Sequence, residues 1–411
     1  SCILTKTRDS LMTPGETLRR RVGSIGRALW ADGRGWILLT VSGGWLLTLG
    51  VRIVYPALLS DIMAEFSVGY TGGGLLISAL WVAYALMQFP GGLAADLIGE
   101  KRVVFTSVAT VLAAVLAIVF SPTYGVFVAA TVLLGVGAGL YGTSRVTILT
   151  DVFAKHKTTA VSLSQAAGNV GTSILPVVAG ILAVTFGWRF GFGYLVPLFA
   201  LVLVGITLFI PHRTSEKLES DSRIDGAFFR SLGRAMVTRN VLLVALLHLS
   251  LMTYYQGMTG FLPTYLLAIT GSSQPLASTV FGAFFVTAIA MQFVSGVVSD
   301  RYGQRPTVAL FVLIAFPAAV GLPMLDSRPA VIVATLAAAA LLGAFPPAHT
   351  YTVDLMPNAL QGSGYGLLRS FYIGGAAGAP PVVGWLADGG QFDFAIVLLG
   401  STTLLVAGLC A

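Results

Sequence analysis

Apolar residues along this chain gather into runs of about twenty or more, separated by short polar or glycine-containing stretches. A run of that length crosses the roughly 30 Å hydrocarbon core of a bilayer as one helix. Backbone N–H and C=O groups in lipid must be satisfied within the segment, which a helix achieves and a lone strand does not. The pattern predicts spans at 36–59, 71–95, 103–120, 123–150, 159–186 and 190–210, and again at 241–269, 276–299, 307–325, 330–352, 364–387 and 394–411. Most connections are short, so sequence neighbours are antiparallel. The exception is 211–240, a charged linker dividing the chain into two sets of six. The expected fold class is all-α integral membrane: twelve transmembrane helices in two pseudo-symmetric six-helix bundles, 36–210 and 241–411, behind a polar tail, 1–35.

Composition agrees with this pattern. Of the 411 residues, 56% are hydrophobic and 10% charged, where a soluble surface needs about 25% charged residues. The tail lacks the short apolar core and cleavage site of a signal peptide, and Met12 is an alternative start. Cys2 and Cys410 stand at opposite ends of the chain and give neither a disulfide framework nor a metal-ligand spacing.

The net charge of +7 is spread through loops rather than gathered in a basic domain, which argues against nucleic acid. Nineteen of the 24 Lys and Arg fall on one side of the predicted membrane: in the tail, the linker, and the loops holding Lys101, Arg102, Lys155, Lys157, Arg301 and Arg305. The other side holds Arg189 and Arg328. Short loops rich in Lys and Arg remain in the cytoplasm. Both termini and the linker are therefore expected to be cytoplasmic, in a multi-pass protein of the plasma membrane.

The halves are also copies. An offset of 204 pairs Met87-Gln88-Phe89 with Met291-Gln292-Phe293, Gly92 with Gly296, Asp96 with Asp300 and Gly99 with Gly303. Further along it still pairs Gly171 with Gly375, Pro176 with Pro380 and Gly180 with Gly384. Parallel repeats of six spans are a transporter architecture, with the substrate site near mid-membrane between them.

Gly92-Leu-Ala-Ala-Asp96-Leu-Ile-Gly99-Glu-Lys101-Arg102 resembles the loop between the second and third helices of the major facilitator superfamily. Gly296-Val-Val-Ser-Asp300-Arg301-Tyr-Gly303-Gln-Arg305 resembles it more closely, since Leu97 replaces a common basic residue in the first copy. Gly187-Trp188-Arg189 before the sixth span fits the same superfamily. The resemblance covers essentially the whole chain and implies a secondary transporter, symporter or antiporter, working by alternating access. The doubled loop is expected to act as a conformational latch. A carboxylate at Asp96 or Asp300 can accept hydrogen bonds from a neighbouring helix N-terminus, where the dipole favours it by about 0.3–1 kcal/mol. The plainer reading is a solvated turn whose basic residues enforce topology.

Charges inside spans are costly and mark functional candidates. Arg52 sits in the first span, either facing the cavity to bind an anion through parallel hydrogen bonds, or reaching the outer surface or Asp61. Arg145 suits a cytoplasmic gate or substrate contact equally. Arg369, early in the eleventh span, is expected to reach the cytoplasmic interface. All 17 Asp and Glu fall in tails, loops or span ends, so an anionic substrate is favoured over a cationic one. His248 and His349 are candidates for a coupling proton, or packing residues in their bundle. Gln88 and Gln292, symmetry mates, and the run Tyr254, Tyr255, Gln256 offer polar or aromatic contacts to substrate, or packing.

Ala167-Gly168-Asn169-Val170-Gly171 resembles the glycine-rich signature of nitrate and nitrite porters and adds Asn169 to the substrate candidates. That family carries arginines on its second and eighth helices, where this chain has Gln88 and Gln292. Close helix packing through small residues explains the same glycines. Gly137-Ala-Gly139-Leu-Tyr-Gly142 matches a dinucleotide pattern but lies within a span and follows no strand. No catalytic constellation, cofactor site or metal cluster is read from the sequence. The expected function is transport of a small molecule, leaning to an organic or inorganic anion, by a monomer in the lipid bilayer, coupled to a proton or ion or uncoupled. The alternatives are an exporter of drugs or hydrophobic compounds and a non-transporting sensor.

Overall fold

The computed structural model describes residues 29–211, 236–355 and 361–410. The tail to residue 28, nearly all of the linker and the side chain of Asp96 lie outside this description. Among the described residues every regular element is a helix. They run α1 Arg34–Phe66, α2 Tyr70–Ile98, α3 Glu100–Val119, α4 Tyr124–Val152 and α5 Lys157–Phe186. A single turn at Phe190–Gly193 leads into α6, Leu195–Phe209. After the linker come α7 Arg239–Thr270, α8 Gln274–Tyr302, α9 Gln304–Gly321, α10 Arg328–Ala338 and α11 Phe345–Asp354, then α12 Gln361–Ala376, α13 Ala379–Asp388 and α14 Phe392–Cys410. Among the described residues ten segments are long and apolar enough to cross a membrane, counting Arg328–Asp354 as one. We call the end carrying the linker the linker face and the opposite end the far face.

The expected span boundaries shift where local chemistry overrides hydropathy. α1 continues beyond residue 59 to Phe66, because its last turn is anchored outside the apolar run. Trp188 Nε1 donates to Glu65 at 2.6 Å, and Arg189 pairs with the same carboxylate. The expected tenth and eleventh spans are interrupted by proline pairs. Pro346 and Pro347 supply no N–H to the preceding turn, and residues Ala339–Ala344 tighten into a 3₁₀ segment before α11. Pro380 and Pro381 likewise follow the break at Ala377-Gly378 between α12 and α13.

The 204-residue repeat reappears as geometry. Gly99 ends α2 and precedes α3 with φ +91° and ψ 147°, and Gly303 does the same between α8 and α9 with φ +89° and ψ 166°. That backbone region is essentially open to glycine alone. The mates Ser60 and Thr264 touch each other, hydroxyl to hydroxyl, at 3.4 Å.

Helices before and after the linker meet mainly as α2 on α13 and α12, α5 on α8, and α1 on α7. Two of these crossings are repeat mates. Gly180 of α5 lies against Gln274 and Ser278 of α8, and Gly384 of α13 lies against Tyr70, the mate of Gln274. Asp388 closes the second crossing. Its carboxylate accepts from the Tyr70 and Thr71 N–H groups at 2.8 and 2.9 Å and from the Thr71 hydroxyl at 2.6 Å. These groups open α2, so the carboxylate also meets the positive end of its dipole.

Within the first half, α1 packs on α5 through small residues. A Cβ at Gly50 would come within 2.8 Å of the Gly171 carbonyl, and one at Gly171 would overlap the Leu46 carbonyl. The glycine-rich signature on α5 thus serves close helix packing. Gly171→Ala is expected to destabilise the protein by about 1–3 kcal/mol, since the obstructing atom is backbone and overpacking costs that much. Thermal denaturation of the purified protein measures it, and an unchanged melting temperature contradicts the crossing.

Candidate functional site

Three helices present periodic faces to one mid-depth cluster. On α1, Trp45, Thr48 and Arg52 follow at i, i+3 and i+7, and on α2, Trp81, Tyr84 and Gln88 do the same. Residues so spaced share one side of a helix. Arg52 is 2% exposed. Its Nε donates to the Thr48 carbonyl at 3.1 Å, folding the side chain back along its own helix instead of out to the surface. The guanidinium lies 4.1 Å from the Tyr84 ring centre, 5.3 Å from Trp81 and 6.0 Å from Trp45. Cation–π contacts contribute about 0.5–1 kcal/mol when exposed and about 2 when desolvated. They do not satisfy N–H groups, and Arg52 Nη2 has no hydrogen-bond partner.

Two further arginines join the cluster. Arg145 of α4, 5% exposed, lies 4.2 Å from the Trp45 ring centre. It donates to Ser164 Oγ at 3.1 Å and Gln165 Oε1 at 3.3 Å, while its Nε is unpartnered. Gln165 in turn donates to Asn169 Oδ1 at 3.4 Å, which brings Asn169 to the edge of the site. Arg369 departs from the expected interfacial position. It points across to the other half, with Nη2 3.4 Å from the Tyr84 hydroxyl. The reason is its face of α12, where Tyr365, Arg369 and Tyr372 stack at i, i+4 and i+7 toward the bundle. The described ion pairs are Arg34–Asp32 and Arg189–Glu65, both at helix ends. Among the described residues no ion pair joins Arg52, Arg145 or Arg369 to a carboxylate, and Arg52 does not reach Asp61.

Aromatic and polar groups complete the walls. Tyr255 of α7 meets Trp81 edge-on at 6.0 Å and Phe345 of α11 at 6.1 Å. Gln88 is buried and donates to the Gly139 carbonyl at 3.3 Å. Gln256 donates to the Ile373 carbonyl at 2.9 Å, and its buried Oε1 has no partner. Tyr254 is directed elsewhere, its hydroxyl bonded to the Ala338 carbonyl at 3.2 Å. Gln292 is half-buried on α8, and among the described contacts its side chain meets none of these groups.

His248 and His349 form a stack, ring centres 5.2 Å apart, with Tyr372 on His248 at 4.9 Å. His248 Nδ1 faces the Val244 carbonyl at 3.1 Å, and its buried Nε2 has no partner. His349 Nε2 lies 3.5 Å from the Tyr372 hydroxyl, and its ring is 5.8 Å from Tyr365. The two tyrosines on either side of Arg369 therefore both touch His349, and the histidine pair adjoins the arginine cluster.

The repeated loop motif sits apart, at the linker face. Gly92 and Gly296 lie one to two turns before the loops, on α2 and α8. Lys101 donates to the Thr207 carbonyl at 3.0 Å and Arg102 is exposed. Asp300 is exposed and Arg301 lies 5.3 Å from the Tyr302 ring. Arg305 Nε donates to the Tyr351 hydroxyl at 2.8 Å.

Trp45, Trp81, Tyr84 and Phe345 also line the candidate site, and none of them is among the residues expected from the sequence. The signal that finds the first three is their i, i+3, i+7 spacing to Arg52 and Gln88.

A family model described as Major Facilitator Superfamily matches residues 40–273 and 258–411. A cis,cis-muconate transport protein of Acinetobacter baylyi is 25% identical over 381 residues, covering 89% of each chain. The fosmidomycin resistance protein of Escherichia coli is 20% identical over 352 residues, covering 86% of each. Among solved structures, a bacterial homolog of the human lysosomal transporter Spinster, inward-facing and unoccupied, superposes with a TM-score of 0.76. At 15% identity over 92% of this chain and 96% of that one, it is similar in fold.

Proposed function

The chain belongs to the major facilitator superfamily, and we propose that within it the protein is a secondary transporter of small organic anions. The observation that carries this reading is the cluster of Arg52, Arg145 and Arg369 around Trp45 and Tyr84 without a described carboxylate partner. A buried charge left unpaired is strongly unfavourable, so a site of this kind is completed by an anion that enters and leaves. The likeness to a muconate transport protein supports the same class.

The transport cycle we infer tilts two six-helix bundles of a twelve-span fold against each other across the contact between Ser60 and Thr264. The inter-half contacts described here lie at mid-depth and at the far face, which fits a state open toward the linker. The charge bias of the loops supports a cytoplasmic linker. In this scheme Asp96 and Asp300 latch the linker face when it closes, and the His248–His349 pair takes up a coupling proton beside Arg369.

The test is ligand-induced stabilisation of purified protein against organic anions, organic cations and neutral drugs. A ligand at 100 times its Kd raises stability by about 2.7 kcal/mol. Anions are expected to raise the melting temperature and cations to leave it unchanged. Stabilisation by cations or neutral drugs, with none by anions, points instead to the drug-export reading.

A further inference from the structure

The three arginines occupy two levels, and that spacing bears on what kind of anion fits. α5 runs from the linker face to the far face. Arg145 is held at Ser164 and Gln165, one turn nearer the linker than Gly168, where a Cβ would press on Trp45. α1 runs in the same direction, and Arg52 lies two turns beyond Trp45 toward the far face. Arg145 therefore approaches Trp45 from the linker side and Arg52 from the far side. Arg369 joins Arg52 at Tyr84, one guanidinium over the ring and the other at the hydroxyl. The site has a one-arginine end and a two-arginine end, with an indole between.

Charge points the same way. A single carboxylate at either end leaves cationic side chains uncompensated at the other, in a region of low dielectric where like charges repel strongly. The unpartnered donors are divided likewise, Arg145 Nε at one end and Arg52 Nη2 at the other. The rings are flat: Trp45 lies between the two ends, and Trp81, Tyr84 and Tyr255 gather at the Arg52 end. The Arg145 end is reachable, since Gln165 is exposed and Asn169 half-buried. The Arg52 end is covered by the Tyr84 and Trp81 rings.

Resting on the anion reading above, we propose that the site selects a dianion with two separated carboxylates on a flat, unsaturated body. One carboxylate lies at Arg145 and the other between Arg52 and Arg369, where it displaces the Tyr84 ring from the guanidinium. The body lies along Trp45 and Trp81.

Three six-carbon probes test this on the purified full chain by calorimetric titration: cis,cis-muconate, with two carboxylates on a diene; sorbate, with one carboxylate on a diene; and adipate, with two on a saturated chain. Muconate is expected to bind at least about tenfold more tightly than sorbate and several-fold more tightly than adipate. Arg145→Gln is expected to bring muconate close to sorbate while changing sorbate by less than about threefold. Retained sorbate binding also shows that the variant is folded. Arg145→Lys, which keeps the charge but loses the fork, is expected to fall between. Equal binding of sorbate and muconate by the wild type, or an equal loss of both in Arg145→Gln and Arg145→Lys, overturns the two-ended site and leaves the anion reading standing. Binding of the neutral diamide of muconate, with none of the three acids, overturns both.

Discussion

Arg52→Gln is expected to weaken anion binding by about two orders of magnitude while the protein remains folded. A charge-assisted hydrogen bond contributes about 1.5–3 kcal/mol, and the fork of an arginine offers a carboxylate two of them. Loss of roughly 3 kcal/mol corresponds to somewhat more than a hundredfold in Kd. Arg52→Lys keeps the charge without the parallel geometry, and about a tenfold loss is expected. The competing account makes Arg52 structural, a cation wedged among Tyr84, Trp81 and Trp45. On that account Gln lowers the melting temperature through the lost cation–π contacts and leaves ligand affinity where it was. The two accounts thus separate on two instruments. Titration with the tightest anion and thermal denaturation of the same preparations decide between them, and wild-type affinity in Arg52→Gln rules out the binding role.

The membrane fold was legible because its signal is redundant. Long apolar runs, a one-sided distribution of Lys and Arg and a 204-residue repeat all agree with a multi-span helical membrane protein. The glycines that mark the repeat hold matching conformations, Gly99 and Gly303 at φ near +90°, and matching crossings at Gly180 and Gly384. Hydropathy is blind to what lies beyond the apolar run, so it omits the last turn of α1, which Glu65 anchors on Trp188 and Arg189. The breaks before α11 and between α12 and α13 were written in the sequence as Pro346-Pro347 and Pro380-Pro381.

The candidate site is legible in its charges and not in the rings around them. Arg52 and Arg145 stand out because a cation in a span is rare, whereas Trp81 and Tyr84 are unremarkable in a membrane protein until their spacing to Gln88 is read. Arg369 lies eight residues into α12, and position along the helix alone puts the linker-face interface within its reach. Only the assembled halves reveal Tyr84 as its partner, a contact 285 positions away. Side-chain direction across a bundle interface is a property of packing, and one chain without its fold does not encode it locally. The same holds for Tyr254 and Tyr255, adjacent in sequence, of which one bonds to Ala338 and the other lines the cluster.

Gly384→Ala is expected to open the far face, and its repeat mate Gly180→Ala to do so less. A Cβ at Gly384 would overlap the Tyr70 carbonyl and crowd Thr71 Cα at 2.9 Å, all backbone of α2. Backbone in a helix cannot turn aside, so the crossing itself must separate. At Gly180 the obstruction is Ser278, whose hydroxyl rotates and whose Cβ would sit at 2.6 Å, with the nearest backbone oxygen at 3.9 Å. Overpacking of about 1–3 kcal/mol that acts only on the closed far face shifts the closed-to-open ratio about five- to 150-fold at Gly384. The hydrogen bonds from Tyr70 and Thr71 to Asp388 oppose this shift, and Asp388→Ala in the same chain is expected to enlarge it. Spin labels at Ala64 and Gln391, both exposed on the far face, with Cys2 and Cys410 replaced, report the distance between the halves. The distribution is expected to gain a longer component in Gly384→Ala, a smaller one in Gly180→Ala, and the largest in the double variant. An unaltered distribution in Gly384→Ala, with the protein folded, shows that α13 and α2 tolerate the methyl group and that their contact does not hold the far face closed.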